Sequence, residues 1–320
     1  MNRPKLDLAI GLGLTVCGYA ALVGWARRAA VSDPPMAEME SALNRRLDQA
    51  GLAASHRYVH TPAGRVHLLV GGTGESTLLF VPGLGASAGD FPELLAQLAR
   101  RHRVVAVDLP GSGLSDPVAF KGHPGRAWNQ VISAVTEQLG IGEFDLVGHS
   151  LGGLAVGGFA ISHPERPRRL VLLSPFGLSR RIPLHWNLAL VPGSMDLLAF
   201  SRRLALARSA GSESARGDDR YLELVGTRFG SGSDFNLVAR MLRLLRLRAE
   251  SELAPALGLL SGRALVIWGS EDGQLPLPDA ARQLSYYPGI QLEILPGAGH
   301  LFPATQPEST ARLITAFLAG

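Results

Sequence analysis

From residue 57 onward the chain keeps one rhythm, in which short apolar runs closed by glycine, proline or aspartate alternate with stretches of helical period. The runs Arg57–His60, Val66–Val70, Thr77–Val81, Val104–Val107, Phe144–Val147, Leu170–Leu173, Ala264–Trp268 and Gln291–Leu295 have the length and Val/Leu content of strands. Between several of them lie helical stretches at 91–100, 126–139, 151–162, 278–285 and 308–318. Near-continuous apolar strands separated by helices predict an α/β protein with a mostly parallel central sheet and helices on both faces. The first two runs turn around Gly64 and predict an antiparallel hairpin at the sheet edge.

The rhythm stops between Ser174 and Gly262. This stretch is rich in Leu and Arg, with Pro183, Pro192 and Pro255 as breakers. Phe235 to Arg248 reads as an amphipathic helix carrying Leu237, Met241, Leu244 and Leu245 on one side. A helical insertion before the last two strands of a parallel sheet is well placed to act as a lid over the strand ends. The expected organisation is a core at 55–175 and 263–320, a helical cap at 176–262, and a connector helix at 33–54 with Met36, Met39, Leu43 and Leu47 at helical spacing.

Residues 1–32 are of a different kind. Leu8 to Ala26 form 19 residues without a charge, bracketed by Arg3 and Lys5 before and by Arg27 and Arg28 after. As a helix, 8–26 spans about 28 Å, close to the hydrocarbon thickness of a bilayer. The segment is expected to be a single-pass N-terminal membrane anchor. A cleaved secretory signal, which would leave a secreted or periplasmic protein, is the alternative, although Arg27 and Arg28 are badly placed for it before the small residues Ala30-Val31-Ser32. A soluble protein whose first helix packs on itself or on a partner is the remaining one. The flanking charges are nearly balanced, so orientation stays open.

Composition removes several function classes. At 46% hydrophobic and 18% charged the chain buries a sizeable core and is not disordered. Cys17 is the only cysteine, so there is no disulfide framework and no Cys-rich metal site, and the nine histidines form no His-Glu-x-x-His-like cluster. No metal and no cofactor are expected. The net charge of +4 comes from arginine, since Lys5 and Lys121 are the only lysines. No basic stripe with interleaved aromatics accompanies it, so nucleic acid is not an expected partner.

The chemistry-bearing residues lie at the ends of predicted strands. Gly-x-Ser-x-Gly occurs twice, at Gly85–Gly89 around Ser87 and at Gly148–Gly152 around Ser150. Only the second is entered directly by a strand, Phe144-Asp145-Leu146-Val147, and left by a small-residue helix, Leu151-Gly152-Gly153-Leu154-Ala155-Val156. That setting is what a nucleophile elbow requires, and Ser150 is the expected nucleophile. A serine hydroxyl needs a base, and the base an orienting acid. His300 follows the last predicted strand and Asp272 the one before it, so both fall at the sheet edge where open parallel sheets build their sites. Glu271 is the alternative acid, and His149 reads as a structural neighbour of Ser150. An oxyanion hole is expected from the backbone N–H of Leu151 and, in the turn Pro82-Gly83-Leu84-Gly85, of Leu84.

Phe80-Val81-Pro82-Gly83-Leu84-Gly85, Asp108-Leu109-Pro110-Gly111-Ser112-Gly113-Leu114-Ser115, Gly148–Gly153, Trp268–Asp272 and Gly297–His300 together resemble the α/β-hydrolase superfamily. The likeness is to its branch of small esterases, monoacylglycerol lipase-like enzymes and haloperoxidase-like perhydrolases, and it covers residues 56–320. It implies the α/β-hydrolase fold, a triad of Ser150, Asp272 and His300, and hydrolysis of a carboxylic ester. Pro82 departs from the histidine common there. Serine at 150 separates the chain from haloalkane dehalogenases and epoxide hydrolases, and His149, in place of asparagine, sets it apart from the carbon–carbon bond hydrolases. The Leu-rich insertion and the apolar N-terminus point to an apolar or lipid-like small-molecule ester. An acyltransferase or perhydrolase using the same triad, and a non-catalytic accessory protein of this fold, remain alternatives. The oligomeric state is open.

Overall fold

The computed structural model of the 320-residue chain describes residues 18–24, 35–116, 124–178 and 253–320. The chain divides into two compact units, 1–34 with 184–243 and 35–183 with 244–320. Of the first, the described residues are 18–24, which are helical. Among the described residues no helix is long and apolar enough to cross a membrane. The rest of the 8–26 segment, the expected amphipathic helix at 235–248, and most of the 176–262 cap lie outside the described residues.

The second unit is built on one eight-stranded sheet. Its strands are β1 (Ala54–Thr61), β2 (Gly64–Gly71), β3 (Thr77–Val81), β4 (Arg103–Val107), β5 (Phe144–His149), β6 (Pro167–Leu173), β7 (Ala264–Gly269) and β8 (Gln291–Leu295), in the spatial order β1-β2-β4-β3-β5-β6-β7-β8. β1 and β2 form the antiparallel edge hairpin, and β2 pairs antiparallel with β4. All remaining pairs are parallel. This is the α/β-hydrolase fold. The eight expected strands and the connecting helices coincide with observed elements to within three residues at each end, apart from the residues just noted.

Burial follows this order. Every residue of β3, β5 and β7 is buried, with no alternation, because helices cover both faces of the central strands. β1 at the edge is mostly half-buried or exposed, with Val59 its one buried residue. Described helices are α1 (Met36–Gln49), α2 (Pro92–Ala99), α3 (Pro124–Gln138), α4 (Leu151–Ser162), α5 (Leu253–Leu259), α6 (Leu277–Leu284), α7 (Phe302–Thr305) and α8 (Pro307–Ala319). The crossover from β3 through α2 steps one way along the sheet, and that from β5 through α4 steps the other way. Right-handed crossovers therefore put α2 and α4 on opposite faces. At the C-terminal ends of β3 and β5 the order reverses, the point at which open parallel sheets form a ligand crevice.

A buried polar network ties the hairpin edge to this crevice. The Asp108 carboxylate, just past β4, accepts from the amides of Ala88 (2.7 Å) and Leu114 (3.0 Å) and from His67 Nδ1 (2.8 Å). His67 Nε2 lies 2.9 Å from His56 Nδ1, and His56 Nε2 lies 2.9 Å from Asn44 Oδ1 on α1. Tyr58 adds a hydrogen bond to Glu40 of α1, at 2.5 Å. With Met39, Leu43 and Leu47 buried beneath it, the connector helix is part of the core packing rather than a free linker.

Asp108 and His67 are fully buried, so removing the carboxylate strands two amides and an imidazole. Asp108→Ala is expected to lower folding stability by about 3–5 kcal/mol, read as a lower urea midpoint at unchanged m-value.

Candidate active site

Ser150 follows β5 without an intervening residue and caps α4, at φ 52° and ψ −116°. A positive φ is strained for a residue with a Cβ, and the surroundings enforce it. The Ser150 amide donates to the Leu173 carbonyl (2.9 Å), and its own carbonyl accepts from the amides of Gly153 (3.0 Å) and Phe176 (2.8 Å). The two glycines of the motif are required by close approach. A Cβ on Gly148 would sit 2.5 Å from the Gly152 carbonyl oxygen, and one on Gly152 would sit 2.1 Å from that of Val81. Helix α4 thus starts in backbone contact with the end of β3, which leaves the Ser150 side chain half-exposed above the sheet.

The Ser150 hydroxyl lies 3.0 Å from His300 Nε2, and His300 Nδ1 lies 2.8 Å from Asp272 Oδ2. With Asp272 ionised, Nδ1 carries the proton and Nε2 presents its lone pair to the hydroxyl. Asp272 sits in the turn after β7, where its Oδ1 accepts from the amides of Gln274 (2.9 Å) and Leu275 (2.8 Å). The Trp268 indole pins that turn by donating to the Leu275 carbonyl at 3.0 Å. The His300 loop packs on it through Glu271 N–H to the Ala298 carbonyl (2.9 Å). Three residues separated by up to 150 positions are brought together, and Glu271 is not in the arrangement. Leu84 lies in the turn after β3, and Gly83 of that turn is so close to the elbow that a Cβ on it would meet Ser150 Cβ at 2.9 Å. The Leu151 amide belongs to the first turn of α4, whose N–H groups have no helical acceptor.

Ser87 is engaged elsewhere. Its hydroxyl donates to the Asp90 carboxylate at 2.7 Å within a capping box, and the residue is fully buried. Two polar residues beside the site stand at strand ends: Ser174, which carried no signal in the sequence, and His149, which read as a structural neighbour of Ser150. Ser174, just past β6, is fully buried at φ 39°. His149 donates from Nε2 to the His300 carbonyl at 3.0 Å. Among the described residues no group of three or more His, Cys, Asp or Glu side chains is placed to hold a metal ion.

A parallel sheet with a strained serine at the β5–α4 elbow and an Asp–His pair on the last two strand ends defines the class of α/β hydrolases. The chain belongs to the alpha/beta hydrolase family, whose model matches residues 78–313. It is 32% identical to the 2-hydroxymuconate semialdehyde hydrolase of Pseudomonas putida, over 79% of this chain and 86% of that protein. Among solved structures it is similar to a bacterial membrane phospholipase A, with TM-score 0.68, 24% identity and 98% of each chain covered. It is also similar to a carboxylesterase from Bacillus subtilis, with TM-score 0.65, 19% identity, and 88% of this chain and 98% of that one covered. The two structural likenesses show the shared fold, and hydrolysis is the activity common to all three names.

The electrostatics of the site keep one group charged and one neutral. Burial pushes the Asp272 carboxyl up, but the His300 hydrogen bond and charge and the Leu275 amide outweigh it and hold the group below the usual aspartate value. That contribution is present above the unfolded value of 3.8 and is lost as pH falls through the lower folded one. His149 is pushed down from 6.5 to about 3, first by burial and then by the neighbouring His300. Between these two values the unfolded chain binds a proton that the folded chain refuses, so stability falls as pH falls through the window and is unaffected above it. Half-buried His56 and buried His102 are shifted in the same direction by burial. Replacing His149 with Gln is expected to flatten the stability–pH slope between pH 6 and pH 4 by about 1.4 kcal/mol per unit, measured as urea midpoints across that range.

Proposed function

We propose that the protein is a serine esterase that cleaves apolar or lipid-like carboxylic esters through an acyl-enzyme on Ser150. The observation that carries this reading is the hydrogen-bonded line Ser150 Oγ–His300 Nε2 at 3.0 Å and His300 Nδ1–Asp272 Oδ2 at 2.8 Å. Ser150 Oγ attacks the ester carbonyl while its proton passes to His300 Nε2, and Asp272 holds the ring and balances the imidazolium. The Leu84 and Leu151 amides stabilise the oxyanion. Collapse of the tetrahedral intermediate breaks the ester C–O bond, and the leaving alcohol takes the proton from His300. Water then attacks the acyl carbon, giving its proton to His300, and the second collapse releases the acid and returns the proton to Ser150.

The arrangement of segments fits an apolar substrate. In this proposal residues 55–175 and 263–320 are the catalytic core, 33–54 the connector, 176–262 a Leu-rich cap, and 8–26 the segment that holds the enzyme at a membrane. The similarity to a membrane phospholipase over 98% of both chains supports that placement. A second reading, cleavage of a carbon–carbon bond in a ring-fission dienoate, is favoured by the sequence relative that hydrolyses a semialdehyde of that kind, while His149 speaks against it.

A fluorophosphonate probe is expected to label wild-type protein and not folded Ser150→Ala. The variant should lose p-nitrophenyl ester hydrolysis by about ten-thousand-fold or more. Asp272→Asn should lose about as much while folding normally. Turnover of a ring-fission dienoate well above that of any ester across an acyl-length series would replace the esterase reading with the second one. Product partitioning dominated by transfer to added alcohol would make the enzyme an acyltransferase.

A further inference from the structure

His149 has a position that the mechanism above does not use. Its ring is almost wholly buried and lies between the elbow, the base-bearing loop and the oxyanion turn. It is joined to Ser150 by the chain itself. Its Nε2 is 3.0 Å from the carbonyl oxygen of His300, and no other donor among the described residues reaches that carbonyl. On its other edge, Nδ1 is one of the three atoms closest to the open side of Gly83, where a Cβ would come within 3.1 Å of it. The Phe91 ring packs against it in a T-shaped arrangement at 5.5 Å between ring centres.

The protonation state follows from the partners. A carbonyl oxygen only accepts, so Nε2 carries the hydrogen. Burial beside His300 keeps the ring from taking a second one, so Nδ1 is a lone pair, and it has no hydrogen-bond partner among the described residues. A buried acceptor left unpaired is unfavourable, and a leucine or phenylalanine would fill the same volume without it. What an apolar residue lacks is the Nε2–H donor to the main chain of His300.

We propose that His149 is a positioning residue: its Nε2–H holds the His300 main chain while its opposite edge abuts Gly83, which sets the base and the oxyanion turn at a common distance from Ser150. The proposal rests on the Ser150 reading and adds to it a residue that touches no substrate. The ring acts through geometry and stays neutral throughout the pH range of catalysis. Its loss therefore shows in kcat, because base and oxyanion donors are misaligned in the transition state, and leaves substrate binding by the rest of the crevice intact.

The test compares His149→Leu, →Gln and →Asn in the full chain, with p-nitrophenyl esters and with the rate of fluorophosphonate labelling. A Gln amide places a donor near the Nε2 position, whereas Asn falls short of it. Folded His149→Leu is expected to lose kcat and labelling rate by about tenfold or more, with KM within about twofold, and Gln to restore both to within about threefold of wild type. Asn is expected to remain impaired. If the Leu variant does not fold, the contrast between Gln and Asn carries the test. A folded Leu variant with wild-type kcat, or Asn performing as well as Gln, overturns the proposal. Ser150→Ala separates this from failure of the parent reading: if that variant keeps full activity both are lost, whereas an inactive Ser150→Ala beside a fully active His149→Leu removes only the role of His149.

Discussion

The strained backbone of Ser150 is the constraint on which the rest of the site depends. A non-glycine residue at φ 52° persists only where its neighbours leave no alternative. Here the amide is held by the end of β6, the carbonyl by Gly153 and Phe176, and the start of α4 is pressed against the carbonyls of Val81 and Pro82. Relaxing the angle would require separating β3, β5 and β6 in the middle of the sheet. The fold's hydrophobic stability is thereby coupled to the exposure of one hydroxyl.

From that fixed point the other groups are placed by topology. The order β4-β3-β5 puts the turn after β3 directly beside the elbow, so Gly83 meets Ser150 although nearly 70 residues separate them. β7 and β8 follow as the next parallel strands, and their C-terminal turns carry Asp272 and His300 on the same edge. Close packing between these two turns, with the Trp268 indole bracing one of them, holds the 2.8 Å contact between Asp272 and His300. The electrostatic result is a carboxylate kept ionised by its donors beside an imidazole, His149, kept neutral by burial. The two histidines, 5.0 Å apart between ring centres, therefore differ: His300 faces Ser150 and Asp272, and His149 is held neutral by burial.

A second polar centre lies where the turn after β3 runs on toward α2. Asp108 binds the Ala88 amide at the end of that turn and, through His67 and His56, reaches Asn44 on the connector helix. The helix that follows the apolar N-terminal segment is thus hydrogen-bonded, in four links, to the loop that precedes α2. The network also explains the Asp-x-x-Gly-x-Gly-x-Ser run as structural, since Ser115 donates to the Asp108 carbonyl at 2.6 Å and receives the His67 amide at 2.8 Å.

The sequence by itself determined the elements and singled out Ser150. Apolar runs closed by glycine and proline specify strands because burial on both faces demands them, and a strand leading into Gly148-His149-Ser150-Leu151-Gly152 specifies an elbow because only small residues allow α4 to start against β3. Order along the chain also pointed to Asp272 and His300, since both follow strands. What only the tertiary structure decided is which side chains meet. Whether Asp272 or Glu271 faces His300 depends on the twist of a turn set by Trp268 and Leu275, and one residue of register would have exchanged them. The link from Asp108 to His67 and the contact of His149 with the His300 carbonyl join residues 41 and 151 positions apart. No local pattern encodes such pairs, because a hydrogen bond between distant segments is fixed by how the sheet brings them together and not by the residues beside each partner.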